Sequence, residues 1–197
     1  MRTESTTDSA VDLTVDGEER TLTFTEGASL MAALRANGIT SVLNGCDEGV
    51  CGSCNVLNED TGRVVRSCMM PAEQFDDAEL TTAQGLVDDE TGELHPVQSA
   101  FLDHGAAPCG FCIPGMIVSA VSLLRENDDP TRAEVARALN GNVCRCTGYV
   151  QQFDAVQDAA ARLRGEAAET PSGEPATDGG CPGCDCGVAA DTDGDAR

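Results

Sequence analysis

The chain has no tryptophan, a single tyrosine and five phenylalanines in 197 residues, so aromatics make up only 3% of it. One large aromatic-packed core is therefore excluded, and two small domains fit the length better. Lysine is also missing. All twelve basic residues are arginine, set against 34 acidic residues for a formal net charge of −22. That balance excludes a nucleic-acid binder, because phosphate contacts need clustered cations. The acid is spread over the whole chain, which reads as the solvated, salt-screened surface of a halophilic protein. The sharper alternative is steering toward a basic partner. Long apolar runs are absent as well. Met116–Leu124 is the longest hydrophobic stretch and is too short to cross a bilayer. The first residues, Met1 to Asp8, are polar with no signal-peptide core, so a cytoplasmic protein is expected.

Against these absences stand eleven cysteines. In a reducing compartment such density points to metal binding before disulfides. Eight of the eleven form two sets of four. Cys46, Cys51, Cys54 and Cys68 read C-x4-C-x2-C-x13-C, and Cys109, Cys112, Cys144 and Cys146 read C-x2-C-x31-C-x-C. Four thiolates are what a [2Fe–2S] cluster needs, and C-x4-C-x2-C with a distant fourth cysteine is the plant-type ferredoxin spacing. Gly45, Gly49 and Gly52 flank the first set and suit a loop whose N–H groups face anionic sulfur. Zinc or a reactive thiol group is the alternative there, although zinc ligands more often come as paired C-x2-C.

Around these sets the pattern changes character once. Residues 1–10 read as a disordered tail. Val11, Leu13 and Val15 alternate, Asp16-Gly17 turns, and Leu22 and Phe24 alternate again, which predicts a hairpin. Ser29 caps a short helix that Gly38 ends. Val56-Leu57 and Val64-Val65 predict a second hairpin, and Leu80–Thr82 a last strand. From about residue 92 helical spacing takes over. Pro96 starts one helix ending near His104, and Pro114 starts another running to Asn127. Asp129-Pro130 caps and opens a third, and the fourth runs from about Tyr149 to Arg164. The expected architecture is α+β, with a β-grasp ferredoxin-like domain over 11–88 and an all-α four-helix domain over 92–164. Residues 165–197 are expected to be a disordered acidic tail carrying Cys181, Cys184 and Cys186.

Each half of the second cysteine set directly precedes a predicted helix. Two helix N-termini would then face one anionic centre. Zinc stapling two helical hairpins is the competing reading. Rieske-type ligation is excluded, because His95 and His104 lie outside both sets. His95, Arg63 and Arg66 read as surface residues, and Met69-Met70 as packing under the first loop.

Longer motifs carry a resemblance. Cys-Gly-Phe-Cys-Ile-Pro-Gly-Met at 109–116 and Gly-Asn-Val-Cys-Arg-Cys-Thr-Gly-Tyr at 141–149 resemble the second-cluster motifs of molybdenum hydroxylases. That family includes xanthine dehydrogenases, aldehyde oxidoreductases and aerobic carbon monoxide dehydrogenase. The 45–54 loop and His95-Pro96-Val97-Gln98 are similar to further family segments, and the likeness covers roughly residues 11–164. The length is similar to the separate small iron–sulfur subunit of three-subunit members. The resemblance implies an electron-transfer chain with two [2Fe–2S] clusters held by the eight cysteines and no substrate pocket. It implies a large molybdenum–pterin subunit and a medium FAD subunit as partners. It places Cys146 nearest the pterin, with Arg145 offering positive charge. One position departs from the pattern: Pro108 stands where the family usually has a pterin-binding glutamine. The alternative function is a free-standing two-cluster carrier.

Overall fold

Asp16 and Gly17 both adopt positive φ (54° and 78°), a two-residue turn whose twist matches the strands it joins. It connects β1 (Asp8–Val15) to β2 (Glu18–Thr25) in antiparallel register, Val15 opposite Glu18 and Asp8 opposite Thr25. The computed structural model describes residues 8–166. The expected tail at 1–10 is therefore corrected at Asp8, Ser9 and Ala10, which are strand. With Ala10 the one apolar residue of the three, a hydrophobic-pattern reading misses the ladder, although backbone pairing needs no apolar face. Residues 1–7 and 167–197, with Cys181, Cys184 and Cys186, lie outside the described residues.

Ser29 accepts from the Ala32 N–H and opens α1 (Leu30–Ala36). Later come β3 (Asn55–Asn58), β4 (Arg63–Arg66), two 3-10 turns (Ser67–Met69 and Ala72–Phe75) and β5 (Glu79–Thr81). The five strands form one mixed sheet in the order β2-β1-β5-β3-β4, with β1 and β5 parallel. Four more helices follow: α2 (Pro96–Asp103), α3 (Ile113–Glu126), α4 (Arg132–Ala138) and α5 (Val150–Leu163).

Two cores sit on either side of β3. Val56 is buried with Val11, Leu13, Leu22, Leu34 and Leu80. The next residue, Leu57, is buried with Phe101, Met116, Val121 and Val156. A period-2 strand sends neighbouring side chains to opposite faces, so β3 anchors both cores and pins the helices to the sheet. Asn55–Asn58 is buried throughout for the same reason.

Two local expectations need correction. Asp129 is not a cap. Thr131 is: its hydroxyl accepts from the Glu134 N–H while Glu134 accepts from the Thr131 N–H, and the buried Pro130 and Val135 occupy the staple positions on either side. The Thr-x-x-Glu signature was present in the sequence and outranked the Asp-Pro pair. His95 likewise does more than sit on the surface. Its Nδ1 accepts from the Val97 N–H at 3.2 Å and Gln98 Oε1 accepts from the His95 N–H at 2.9 Å, a reciprocal cap on α2.

Candidate metal centres

The first set occupies the 45–54 loop between α1 and β3, with Cys68 supplied by the 3-10 turn after β4. Backbone N–H groups of Glu48 and Cys51 each point at Cys46 Sγ at 3.4 Å. Donation from Cys51, then Glu48 and Val50, lowers the Cys46 pKa to about 7. The Cys51 thiol is its neighbour. Cys68 behaves oppositely. Burial, then the adjacent Cys54 thiol, pushes it up to about 11 even though the Gly49 N–H opposes them. Cys51 is thus the thiol neighbour of Cys46, and Cys54 that of Cys68. Ser67 reinforces the inner pair by donating from both N and Oγ to the Cys54 carbonyl (3.4 and 2.6 Å).

The second set spans the turn before α3 and the loop before α5. Cys109 and Cys146 lie at the surface with their sulfurs 3.5 Å apart. Cys112 is buried beside Cys144, and burial followed by the Cys144 thiol raises it to about 12. Burial would raise Cys144 too, but donation toward its sulfur, the backbone N–H groups of Cys146 and Thr147 included, leaves its pKa lowered. Again the sulfurs fall into two pairs. Cys112 is itself the N-cap residue of α3, and Tyr149, in a left-handed conformation, precedes α5. Both helix starts lie at the set, where their free N–H groups favour negative charge.

These residues suit a [2Fe–2S] cluster on four counts. Two irons sharing four thiolates need two sulfur pairs, as found here. Among the described residues no three His, Cys, Asp or Glu side chains converge on a single point, as a mononuclear zinc site requires. The loop also leaves no room for side chains near sulfur: a Cβ on Gly45 would come 2.7 Å from Cys51 Sγ. Buried thiols with raised pKa values, Cys68 and Cys112, need a metal to become thiolates.

The two sets touch. The Val143 N–H donates to the Cys51 carbonyl at 2.9 Å, so one hydrogen bond separates a residue of the first set from the neighbour of Cys144. Asn142, buried, donates to the Gly52 carbonyl at 3.4 Å and accepts from Ser119 at 3.0 Å; Ser119 in turn accepts from Asn55 at 3.0 Å. Close approach here depends on missing side chains. A Cβ on Gly52 (φ +71°) would meet Gly141 O at 2.5 Å, and one on Gly115 would meet Gly52 O at 2.0 Å.

Sequence reasoning missed Arg66. Instead of a free surface charge, its guanidinium donates to the Gly49 carbonyl, to Val50 O at 3.4 Å and to Gly141 O at 3.5 Å, tying the first loop to the second. Arg66→Ala is expected to speed iron loss to a chelator, whereas Arg63→Ala, an exposed change on the same strand, leaves the release rate unchanged. Equal rates in both variants would remove the strut role. Met69 is also placed differently from expectation. It is 57% exposed and lies over Gly49 from outside instead of packing beneath the loop.

Comparison with known proteins agrees with this geometry. Residues 13–84 match the 2Fe-2S iron-sulfur cluster binding domain and residues 82–157 the [2Fe-2S] binding domain. The small FeS subunit of nicotinate dehydrogenase from Eubacterium barkeri is 41% identical, over 77% of this chain and 95% of its own length. The nicotine 6-hydroxylase small subunit of Paenarthrobacter nicotinovorans is 41% identical, over 83% of this chain and 97% of its own. A chain of quinoline 2-oxidoreductase from Pseudomonas putida 86 superposes with a TM-score of 0.74 at 39% identity, over 81% of this chain and 99% of that one. Aldehyde oxidoreductase of Megalodesulfovibrio gigas is 44% identical over 80% of this chain, which spans only 17% of that longer protein. A fold with two such domains in series defines a two-cluster iron–sulfur protein. The chain belongs to the family of small iron–sulfur subunits and domains of molybdenum hydroxylases.

Proposed function

We propose that this chain is the electron-transfer subunit of a molybdenum hydroxylase, with one [2Fe–2S] cluster on Cys46, Cys51, Cys54 and Cys68 and a second on Cys109, Cys112, Cys144 and Cys146. The observation that carries the reading is the gathering of the eight thiols into two adjoining sets, one on the 45–54 loop with Cys68 and one before α3 and α5, where the Cys109 and Cys146 sulfurs lie 3.5 Å apart. When bound, such clusters accept and release single electrons at potentials set by the charge and hydrogen bonds around their sulfurs.

The protein's own task is to hold, insulate and connect. N–H groups of Glu48, Val50 and Cys51 offset thiolate charge at Cys46 without giving up a proton. Met69 covers one side of the first loop. Val143 and Cys51 supply a bonded connection between the sets, and Asn142 holds it in register. The exposed Cys109 and Cys146 lie beside the exposed Pro108 and Phe111. This end suits a large molybdenum–pterin subunit, while a medium FAD subunit completes the assembly on the side of the first set. Proline has no side-chain donor, so a pterin contact at position 108 falls to another group.

The finer architecture belongs to the same reading: a β-grasp domain over 11–88, extended to Asp8 by β1, and a four-helix domain over 92–164. No helix among the described residues is long and apolar enough to cross a membrane. The lysine-free acidic surface suits a salt-rich cytoplasm. Tagged chain purified from its native cells is expected to bring down molybdenum- and flavin-bearing subunits. Recovery of an iron-bearing chain alone would favour the free-standing carrier.

A further inference from the structure

Around Cys144 lies a hydrogen-bond chain whose proton count does not close once that cysteine is a thiolate. Gln152 is fully buried, and its Nε2 donates to the Ala106 carbonyl at 2.8 Å. A carbonyl can only accept, so this bond fixes the amide's orientation and turns Oε1 toward Thr147. Oε1 also only accepts. The Thr147 hydroxyl, 2.6 Å away, must therefore donate to it. The same hydroxyl oxygen accepts from the Tyr149 N–H at 3.1 Å. Its one proton is committed, yet it sits 3.5 Å from Cys144 Sγ. A neutral thiol can donate across that gap. A thiolate cannot, and two lone pairs then face each other.

We propose that Thr147 is a redox-responsive positioning residue: its hydroxyl points to Gln152 while the second cluster is oxidised and turns to Cys144 Sγ when the cluster is reduced. This rests on the cluster assignment proposed above. The added electron raises negative charge on the sulfur, and a hydrogen bond to a charged acceptor outweighs one to a neutral amide. The step is a rotation of the hydroxyl about the Thr147 Cβ–Oγ1 bond, with the oxygen staying in place. One hydrogen bond is exchanged for another, no proton is transferred, and the electron comes from the hydroxylase reaction. Because the new bond forms only in the reduced state, it raises the potential of the second cluster.

The sign follows for each partner. Without the hydroxyl, the reduced state loses its extra bond and the potential falls. Without Gln152, the hydroxyl serves Cys144 in both states, and the reduced state keeps the full gain in bond strength, so the potential rises. The other Nε2 contact, 3.9 Å from Cys144 Sγ, is too long to reverse this.

The test is an EPR-monitored redox titration of the assembled complex. Thr147→Val is expected to lower the midpoint of one signal by about tenfold in the reduction equilibrium, roughly 59 mV for a one-electron couple. Thr147→Ser should restore it, Gln152→Leu should raise it, and the other signal should stay fixed throughout. If Thr147→Val fails to assemble, the direction of the Gln152→Leu shift decides. An unchanged or lowered midpoint in Gln152→Leu, or equal loss in Thr147→Ser and Thr147→Val, overturns the proposal. Two intact signals with no such shifts would leave the cluster assignment standing, whereas a missing second signal in unmodified protein would remove that assignment itself.

Discussion

Cys51→Ser is expected to abolish one of two paramagnetic signals in the reduced protein, and Cys144→Ser the other. Each change should cost about two of roughly four irons per chain. The reason is the separation of the two sets into different cores. Cys54 and Cys68 are buried with the sheet and α1, whereas Cys112 is buried with α2, α3 and α5. Losing one sulfur pair leaves the other set's scaffold in place. The junction also survives, because Cys51 contributes its carbonyl and Val143 its N–H, and neither substitution touches a backbone group. EPR on dithionite-reduced protein with parallel iron analysis reads the result. Both signals vanishing together in folded protein from either change would show that the eight cysteines are partitioned wrongly.

Gly115→Ala is expected to be the most damaging single methyl in the molecule. Helix propensity alone argues the other way, since alanine is favoured over glycine by about 1 kcal/mol within a helix. Overpacking wins. The added carbon would stand 2.0 Å from Gly52 O and 3.2 Å from Ser53 Cα, both backbone atoms that cannot swing aside like a flexible side chain. Relief requires α3 to move off the first loop. That movement strains the bond between Val143 and Cys51 and the buried Asn142–Ser119–Asn55 chain, with a net cost on the order of 1–3 kcal/mol. Thermal unfolding should shift downward, and the magnetic interaction between the two reduced clusters should weaken. Unchanged stability together with unchanged interaction would mean that the close contact is not needed.

The sequence exposed features that are local. The alternation at Val11, Leu13 and Val15, the Asp16-Gly17 turn, the Ser29 cap and the helix starts at Pro96 and Pro114 all agree with the elements found. Cysteine spacing divides eight cysteines into a set on the 45–54 loop with Cys68 and a set before α3 and α5, two separate places in the fold. What stayed hidden depends on contacts between distant residues. Leu57 and Val56 look alike on paper, yet they serve different cores because β3 is covered on both faces. Arg66 resembles any surface charge until the fold brings Gly141 beside it. The Val143 to Cys51 bond joins the neighbour of Cys144 to a residue of the first set, and no periodicity predicts it. Thr131 is legible in the sequence, because a threonine with a glutamate three residues on marks a capping box, and this signal outranks the Asp129-Pro130 pair.

Quantifying iron, acid-labile sulfide and reduced spin on one anaerobic preparation addresses the central claim most directly. The account predicts about four iron and four sulfide per chain and, under dithionite, two distinct spin signals of equal intensity. Zinc in place of iron, with no signal on reduction, would contradict it.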